Sequence, residues 1–569
     1  MRIIATAGHV DHGKSTLVKT LTGTDPDRWR EEKDRGLTID LGFAHLALPS
    51  GRAISFIDVP GHVRFLSNML AGIGGIHGCL LVVDAREGWM PQTEEHLRIL
   101  DLLGIERGVI ALTKVDLCSS DDAQLMALEI ADQIRETSLA DAPIIGVSTV
   151  SGEGISDLVS ALDDLAHTSS PSLDHSRPRL FVDRIFAAKG SGTVVTGTLT
   201  HGSFQVGDQI FITPTGATGR IRAIQTLGQS VETIGPGNRV ALNIAGIDHH
   251  DIVRGHVVIK TDQWFITECF DAELSVLSSL DHPVSRRGAY SLHVGSDEIP
   301  VRVRVLGPDS INPGTQQNVR IKISRGVPLL PGDRFILRES GRSETVGGGQ
   351  VLDVDPKLPP TTAQPSRSLD RVISERGWVL AEDLLRLTGE QVEPTIGSWV
   401  VSPGELTRAY QRVEEQVRSA GPTGVDLASF DDKSRLIVSS LDTVEISDNR
   451  AMLRGLQDPL LNHPVLKQLA DQGCAPLPPV DVSTSDLRRL QQRGLLFERD
   501  DLWFHHLAID QAQAAARELL AVHSEGFTLS QFRDALGITR KHAVPLASEL
   551  DSRGITRRRG DLRIAGPRL

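Results

Sequence analysis

Gly8, His9, Val10, Asp11, His12, Gly13, Lys14, Ser15 and Thr16 read "GHVDHGKST", and Gly8–Ser15 fits GxxxxGK[ST]. Glycines at that spacing let backbone N–H groups close around phosphate oxygens. Lys14 brings a point charge to the β- and γ-phosphates, and the Ser15 hydroxyl is suited to ligate Mg²⁺. A glycine-rich turn alone would look the same, so the pattern needs company. "FIDVPGH" ends an apolar run in Asp58, suited to the water shell of Mg²⁺, followed by Gly61, whose N–H can read a γ-phosphate. "ALTKVD" ends another in Thr113, Lys114 and Asp116. A carboxylate at Asp116 accepts from the N1–H and the exocyclic amine of guanine, a donor pair that adenine lacks. "GVSTVSGEG" offers the backbone N–H groups of Ser148 and Thr149 to the guanine oxygen. Four such motifs in order select GTP and GDP.

Two further residues complete that chemistry. In the charged stretch "DPDRWREEKDRGLTIDLGF", Thr38 is a candidate second protein ligand of Mg²⁺, engaged with GTP and released after hydrolysis. His62 comes directly after Gly61 and is the candidate catalytic residue, orienting an attacking water.

Each motif sits at the end of an apolar run of strand length, and helical stretches separate the runs. That alternation predicts a doubly wound parallel sheet with ligand loops at the carboxyl ends of its strands, an α/β P-loop fold. At 569 residues the chain exceeds one core and is multidomain. Forty per cent apolar residues, 23% charged and a net charge of −13 fit a soluble globular protein. Cys79, Cys118, Cys269 and Cys474 are scattered, with no CxxC pair, which fits a reducing compartment. No apolar run reaches membrane-spanning length, so no membrane partner is expected; the chain is expected to be cytoplasmic and monomeric.

"GHVDHGKST", "RGLTI", "DVPGH" and "TKVD" resemble the G domain of translation factors of the elongation factor Tu class. The resemblance implies that His62 is catalytic and that Val10 and Leu37 form its hydrophobic gate. It departs at Thr113, where Tu-type factors carry Asn. A threonine lacks the amide that bridges base and phosphate loop.

After "TSSPSLDHSRPRL" (168–180), a linker by composition, the chain turns to short β-branched runs broken by glycine. Residues 176–260 and 261–357 are expected to form two β-barrels, resembling domains II and III of the same factors. Asp183, Arg184 and Arg239 stand on the first barrel's strands, where charges commonly cap strand ends or pair with each other. "DR" in the first barrel strand, the later "ALNIAG" and Thr113 narrow the resemblance to the selenocysteine-specific branch. That branch implies an aminoacyl pocket at Asp183, Arg184 and Arg239. Its selenol, ionised at neutral pH, would be told from a seryl hydroxyl by charge.

"KLPPTTAQPS" (357–366) reads as a second linker, and the residues beyond it are helical with short paired strands. "LQQRGLLFERDDLW" (490–503) and "LDSRGITRRRGDLR" (550–563) share Leu490/Leu550, Arg493/Arg553, Gly494/Gly554, Asp501/Asp561 and Leu502/Leu562. Each is a helix ending at RG and then a hairpin, which predicts tandem winged helices at 366–402, 403–455, 456–508 and 509–569. Residues 521–569 hold nine Lys/Arg against five Asp/Glu in an otherwise acidic chain. A charge run is usually a solvated face. Here Arg540 and Lys541 also open a helix, where cations oppose the dipole. Arg540, Lys541, Arg557, Arg558, Arg559 and Arg563 are therefore expected to bind RNA phosphates. The resemblance covers the whole chain and implies as partners selenocysteyl-tRNA, the ribosome, and the mRNA hairpin that marks a UGA selenocysteine codon.

Overall fold

The computed structural model describes residues 2–26, 41–60, 76–168, 176–188, 192–447, 449–455 and 460–569. They fall into two compact units, 1–402 and 403–569. Thr38, Gly61, His62 and Leu37 lie outside the described residues.

The first unit begins with six strands: β1 (Arg2–Ala7), β2 (Gly42–Ala47), β3 (Ala53–Asp58), β4 (Gly78–Asp84), β5 (Gly108–Thr113) and β6 (Ile144–Val147). Their order is β2-β3-β1-β4-β5-β6, parallel except for β2, which runs antiparallel to β3. β4 and β5 are buried at every residue, as a sheet covered on both faces requires. Helices Lys14–Thr22 and Ile155–Thr168 pack on one face; Pro91–Leu102 and Ser120–Ile134 pack on the other.

Six strands then close a barrel in the order Gln209–Thr213, Val257–Lys260, Arg179–Ala188, Gly192–His201, Asn238–Ala245 and Ala217–Thr226. A second barrel closes over Ile266–Val276, Gln316–Pro328, Asp297–Val305, Tyr290–Val294, Arg334–Glu339 and Glu344–Asp353. In Asp297–Val305, buried and exposed residues alternate without a break, so one side of the strand fills the barrel. The run "VGGGQV" lets two strands approach closely. A Cβ on Gly349 would lie 1.8 Å from the Glu273 carbonyl oxygen.

The two stretches read as linkers are built differently from that expectation. In 176–180, Arg177 and Arg179 are each 3% exposed, and Arg179 donates to Asp333 of the second barrel at 2.8 Å. Trp264 lies under both guanidiniums, at 5.0 and 4.9 Å. Composition marked these residues as polar and proline-flanked; Asp333 pairs with Arg179, backbone carbonyls accept from Arg177, and an indole underlies both, which lets them enter the core. In 357–366, Pro365 is buried, and the next helix (Leu369–Arg376) is tied back by Arg371 to Asp353 at 2.9 Å. Arg386 donates to the Asp262 carbonyl at 2.8 Å. The first helix-and-hairpin module therefore belongs to the same compact unit as the barrels, and the chain divides at 402/403.

In the second unit, each of the last two modules has a hairpin with a two-residue turn. Arg499 pairs with Leu502 and Arg559 with Leu562, the same register 60 residues apart. Their cores merge: Phe497, Leu502 and Phe504 pack in one cluster with Ala508, Phe527, Phe532, Leu546 and Leu550.

Candidate functional site

The loop after β1 is held open by its own backbone geometry. Gly8, Asp11 and Gly13 have φ of 128°, 63° and 91°, and a Cβ on Gly8 would sit 2.2 Å from the Val82 carbonyl oxygen. Only glycine fits at that first position. Lys14 opens the helix Lys14–Thr22, and its ammonium is caged by the carbonyls of Gly8 (3.0 Å) and His9 (2.6 Å). Asp58, fully buried, accepts from Ser15 at 2.7 Å and from Thr6 at 2.7 Å. A glycine-shaped loop around a buried ammonium at a helix N-terminus suits a nucleotide's phosphates, and the adjacent Ser15 and Asp58 suit Mg²⁺.

Two side chains that the motifs did not reveal steady this loop. The buried His96 ring accepts from the Gly8 N–H at 3.0 Å, and Gln92 accepts from the Val10 N–H at 3.0 Å. Both stand on Pro91–Leu102, four residues apart on one helical face. The signal in the sequence was a pair of polar residues on a face otherwise filled by Leu97, Ile99 and Leu100. Burial, with the charges of Lys14 and His9, pushes His96 down to about 3, so the ring stays a neutral acceptor. Burial likewise takes His12 to about 4.

At the end of β5, Thr113 reaches the phosphate loop without an amide. Its hydroxyl donates to the His12 carbonyl at 2.7 Å and lies 3.2 Å from that of Val83, so the strand end is tied to the phosphate loop. A hydroxyl on a β-branched carbon reaches the loop carbonyl directly. Lys114, at φ 59°, donates to the Asp11 carbonyl at 2.8 Å and pairs with buried Asp84 at 2.6 Å. Asp116 is exposed beside it. Ser148 is buried, its hydroxyl accepting from the Val150 and Ser151 N–H groups, and Thr149 lies next in the same turn. Thr16 is exposed on the first turn of its helix.

On the first barrel, Asp183 and Arg239 form an ion pair, with Arg239 Nη2 to Asp183 Oδ1 at 2.9 Å and the Thr196 hydroxyl donating to the same oxygen at 2.7 Å. Burial opposes the Asp183 charge, but Arg239 and Thr196 outweigh it and hold the carboxyl below its ordinary value. Arg184 donates instead to the Leu41 carbonyl of the nucleotide domain. All three residues are brought together. A cavity of about 200 Å³ is lined by Arg184, Arg239, Thr196, Phe186, Leu227 and Phe43.

In the last module, Arg540 and Lys541 are exposed at the start of helix Arg540–Ser552, and Arg557, Arg558 and Arg559 are exposed on the hairpin. Arg563 departs from the expected role. It is 7% exposed and bonds Asp551 at 3.0 Å, because its strand position faces the packed side of the module.

Comparison with known proteins agrees along the chain. Residues 1–168 match the model of the elongation factor Tu GTP-binding domain, and 192–259 match elongation factor Tu domain 2. Residues 271–358 match the β-barrel domain of the selenocysteine-specific elongation factor, and 518–565 match the winged helix of elongation factor SelB. The selenocysteine-specific elongation factor of Escherichia coli K12 is 30% identical over 98% of each chain. That of Desulfomicrobium baculatum is 40% identical over 62% of this chain and 55% of its own. The crystal structure of a bacterial selenocysteine-specific elongation factor superposes with a TM-score of 0.72 at 26% identity, covering 99% of this chain and 100% of that one. The Methanococcus maripaludis SelB structure with the GTP analogue GPPNHP gives 0.53 at 25% identity over 62% and 79%. Among the described residues, no helix is long and apolar enough to cross a membrane. Nucleotide loop, paired barrels and terminal winged helices thus lead to one place: the chain belongs to the selenocysteine-specific elongation factors and is a translational GTPase.

Proposed function

We propose that this GTPase carries selenocysteyl-tRNA to ribosomes at UGA codons, and that its last winged helix holds the mRNA hairpin that marks them. It works as a monomer in the cytoplasm. Asp116 selects guanine, with Ser148 and Thr149 offering N–H groups to the base oxygen. Lys14 and the N–H groups of the phosphate loop hold the phosphates. Ser15, Thr38 and, through water, Asp58 would hold Mg²⁺, which neutralises phosphate charge during transfer. Gly61 senses the γ-phosphate, and His62 orients the attacking water once the ribosome stimulates hydrolysis. Arg540, Lys541, Arg557 and Arg559 bind RNA phosphates.

One observation carries the reading: the guanidiniums of Arg184 and Arg239 and the carboxylate of Asp183 meet beside the cavity on the first barrel. A selenolate brings a negative charge to those guanidiniums, where a seryl hydroxyl does not. The test is affinity in the GTP form for selenocysteyl-tRNA and seryl-tRNA built on the same tRNA body. Selenocysteyl-tRNA should bind more tightly, and Arg239→Ala should remove about 1.5–3 kcal/mol from that complex while leaving the seryl complex nearly unchanged. Equal affinities in the unaltered protein would overturn the assignment.

A further inference from the structure

We propose that Leu41 and Phe43 are positioning groups that couple the nucleotide site to the cavity on the first barrel. The inference rests on reading that cavity as the amino-acid pocket. The Phe43 ring lies on the guanidinium of Arg239, 3.4 Å from its central carbon, and 4.7 Å from that of Arg184. The Leu41 carbonyl accepts from Arg184. Two alternate residues of the nucleotide domain therefore hold both arginines, while Asp183 holds Arg239 from the barrel side.

The same short segment is locked to the nucleotide site. Gly42, between the two, pairs across the sheet with Asp58, and Phe43 pairs with Ile57. Asp58 is the carboxylate bonded to Ser15 and Thr6. There is no slack at this pairing. A Cβ on Gly42 would lie 2.7 Å from that of Pro26 and 3.1 Å from that of Asp58. Any rearrangement around Asp58 and Ser15 is thus delivered to Leu41 and Phe43 and so to the arginines. An unbroken chain of contacts runs from Ser15 through Asp58, Gly42 and Phe43 to Arg239 and Asp183. Phe43 and a ligand's anion compete for where the guanidinium of Arg239 points. A cation over an aromatic face is directional enough for a small strand displacement to re-aim it. Coupling of this kind is reciprocal, so occupancy of the pocket must also bias the nucleotide.

The test uses the full chain and measures selenocysteyl-tRNA affinity with a GTP analogue and with GDP, together with nucleotide affinities with and without that tRNA. Phe43→Leu removes the ring while keeping an apolar side chain in place. Its GTP-to-GDP affinity ratio for the tRNA should fall by about tenfold or more towards unity, with nucleotide affinities in the absence of tRNA held within about twofold. Phe43→Tyr should restore the ratio, which a loss of packing alone would not predict. If Phe43→Leu does not fold, Phe43→Met carries the same expectation. A variant without the ring that keeps the unaltered ratio, or weakens tRNA binding equally in both nucleotide forms, overturns the coupling. Failure of the pocket reading shows separately, as equal binding of selenocysteyl- and seryl-tRNA by the unaltered protein.

Discussion

His96 reaches the phosphate loop from 88 residues away, which is why no local motif announced it. Its imidazole, held down at about 3, stays neutral in the folded protein well below the pH at which the unfolded chain takes up a proton. Proton counting gives the sign of the effect. Above its unfolded value of about 6.5 the group costs nothing, and below it the unfolded state binds the extra proton, so stability is lost as pH falls. The loss is about 1.4 kcal/mol per pH unit, or about 2 kcal/mol by pH 5. His96→Asn keeps an acceptor and should shed that share of the pH dependence, read from chemical denaturation at the two pH values. An unchanged slope would mean that the ring is protonated in the fold. The role proposed for Asp116 rests on residue type and position alone. Asp116→Asn should move base preference from guanine towards xanthine, since the amide offers a donor to the xanthine oxygen. Retained GTP affinity and hydrolysis would remove Asp116 from the base site. Thr113 lies between these cases. Its departure from asparagine was plain in the sequence, but its bond to the His12 carbonyl needed the fold, because sequence carries no distance between a strand end and a loop 101 residues apart.

Elements were legible where one texture dominated: the apolar runs of β1, β3, β4 and β5, and the short β-branched runs of the barrel strands. They were misread where polar composition hid burial. Residues 176–180 looked like a linker because arginine and proline usually face water, yet Arg179 finds Asp333 and Trp264. The repeat relating 490–503 to 550–563 correctly pointed to twin hairpins, but it could not show that their cores merge. Phe497 and Phe504 share one cluster with Phe527, Phe532 and Leu550, Arg553 lies 5.4 Å above the Phe497 ring, and Arg499 pairs with Glu549 at 3.0 Å. A fragment starting at 509 would expose two core phenylalanines' worth of apolar surface, at about 1.5–3 kcal/mol for each side chain. It should melt at a lower temperature and less cooperatively than 460–569 in a calorimeter. Equal melting would show that the last module is self-sufficient.

Across the whole chain, a net charge of −13 coexists with a basic final segment, so RNA affinity must come from a few local contacts working against a repelling body. Strand geometry limits how many of them the arginine run can supply. Along Thr556–Arg559 side chains alternate, so Arg557 and Arg559 share one face, while Arg558 lies with buried Thr556 and opposite Arg563. Arg558 also bonds the Gly560 carbonyl at 3.1 Å, and Arg563 is taken by Asp551. Each phosphate neutralised contributes roughly 0.7–0.9 to the slope of log affinity against log salt. For the full chain binding an RNA hairpin, replacing Arg557 and Arg559 together by alanine should flatten that slope by about one and a half to two units. Arg558→Ala should change it far less. In the preceding hairpin Glu498 occupies the place of Arg558 and Asp500 and Asp501 form the turn, so that wing should contribute nothing to the slope. Equal flattening by Arg558→Ala and the double variant would mean that the strand alternation does not decide which arginines meet RNA. A slope untouched by either would make the whole run a solvated face.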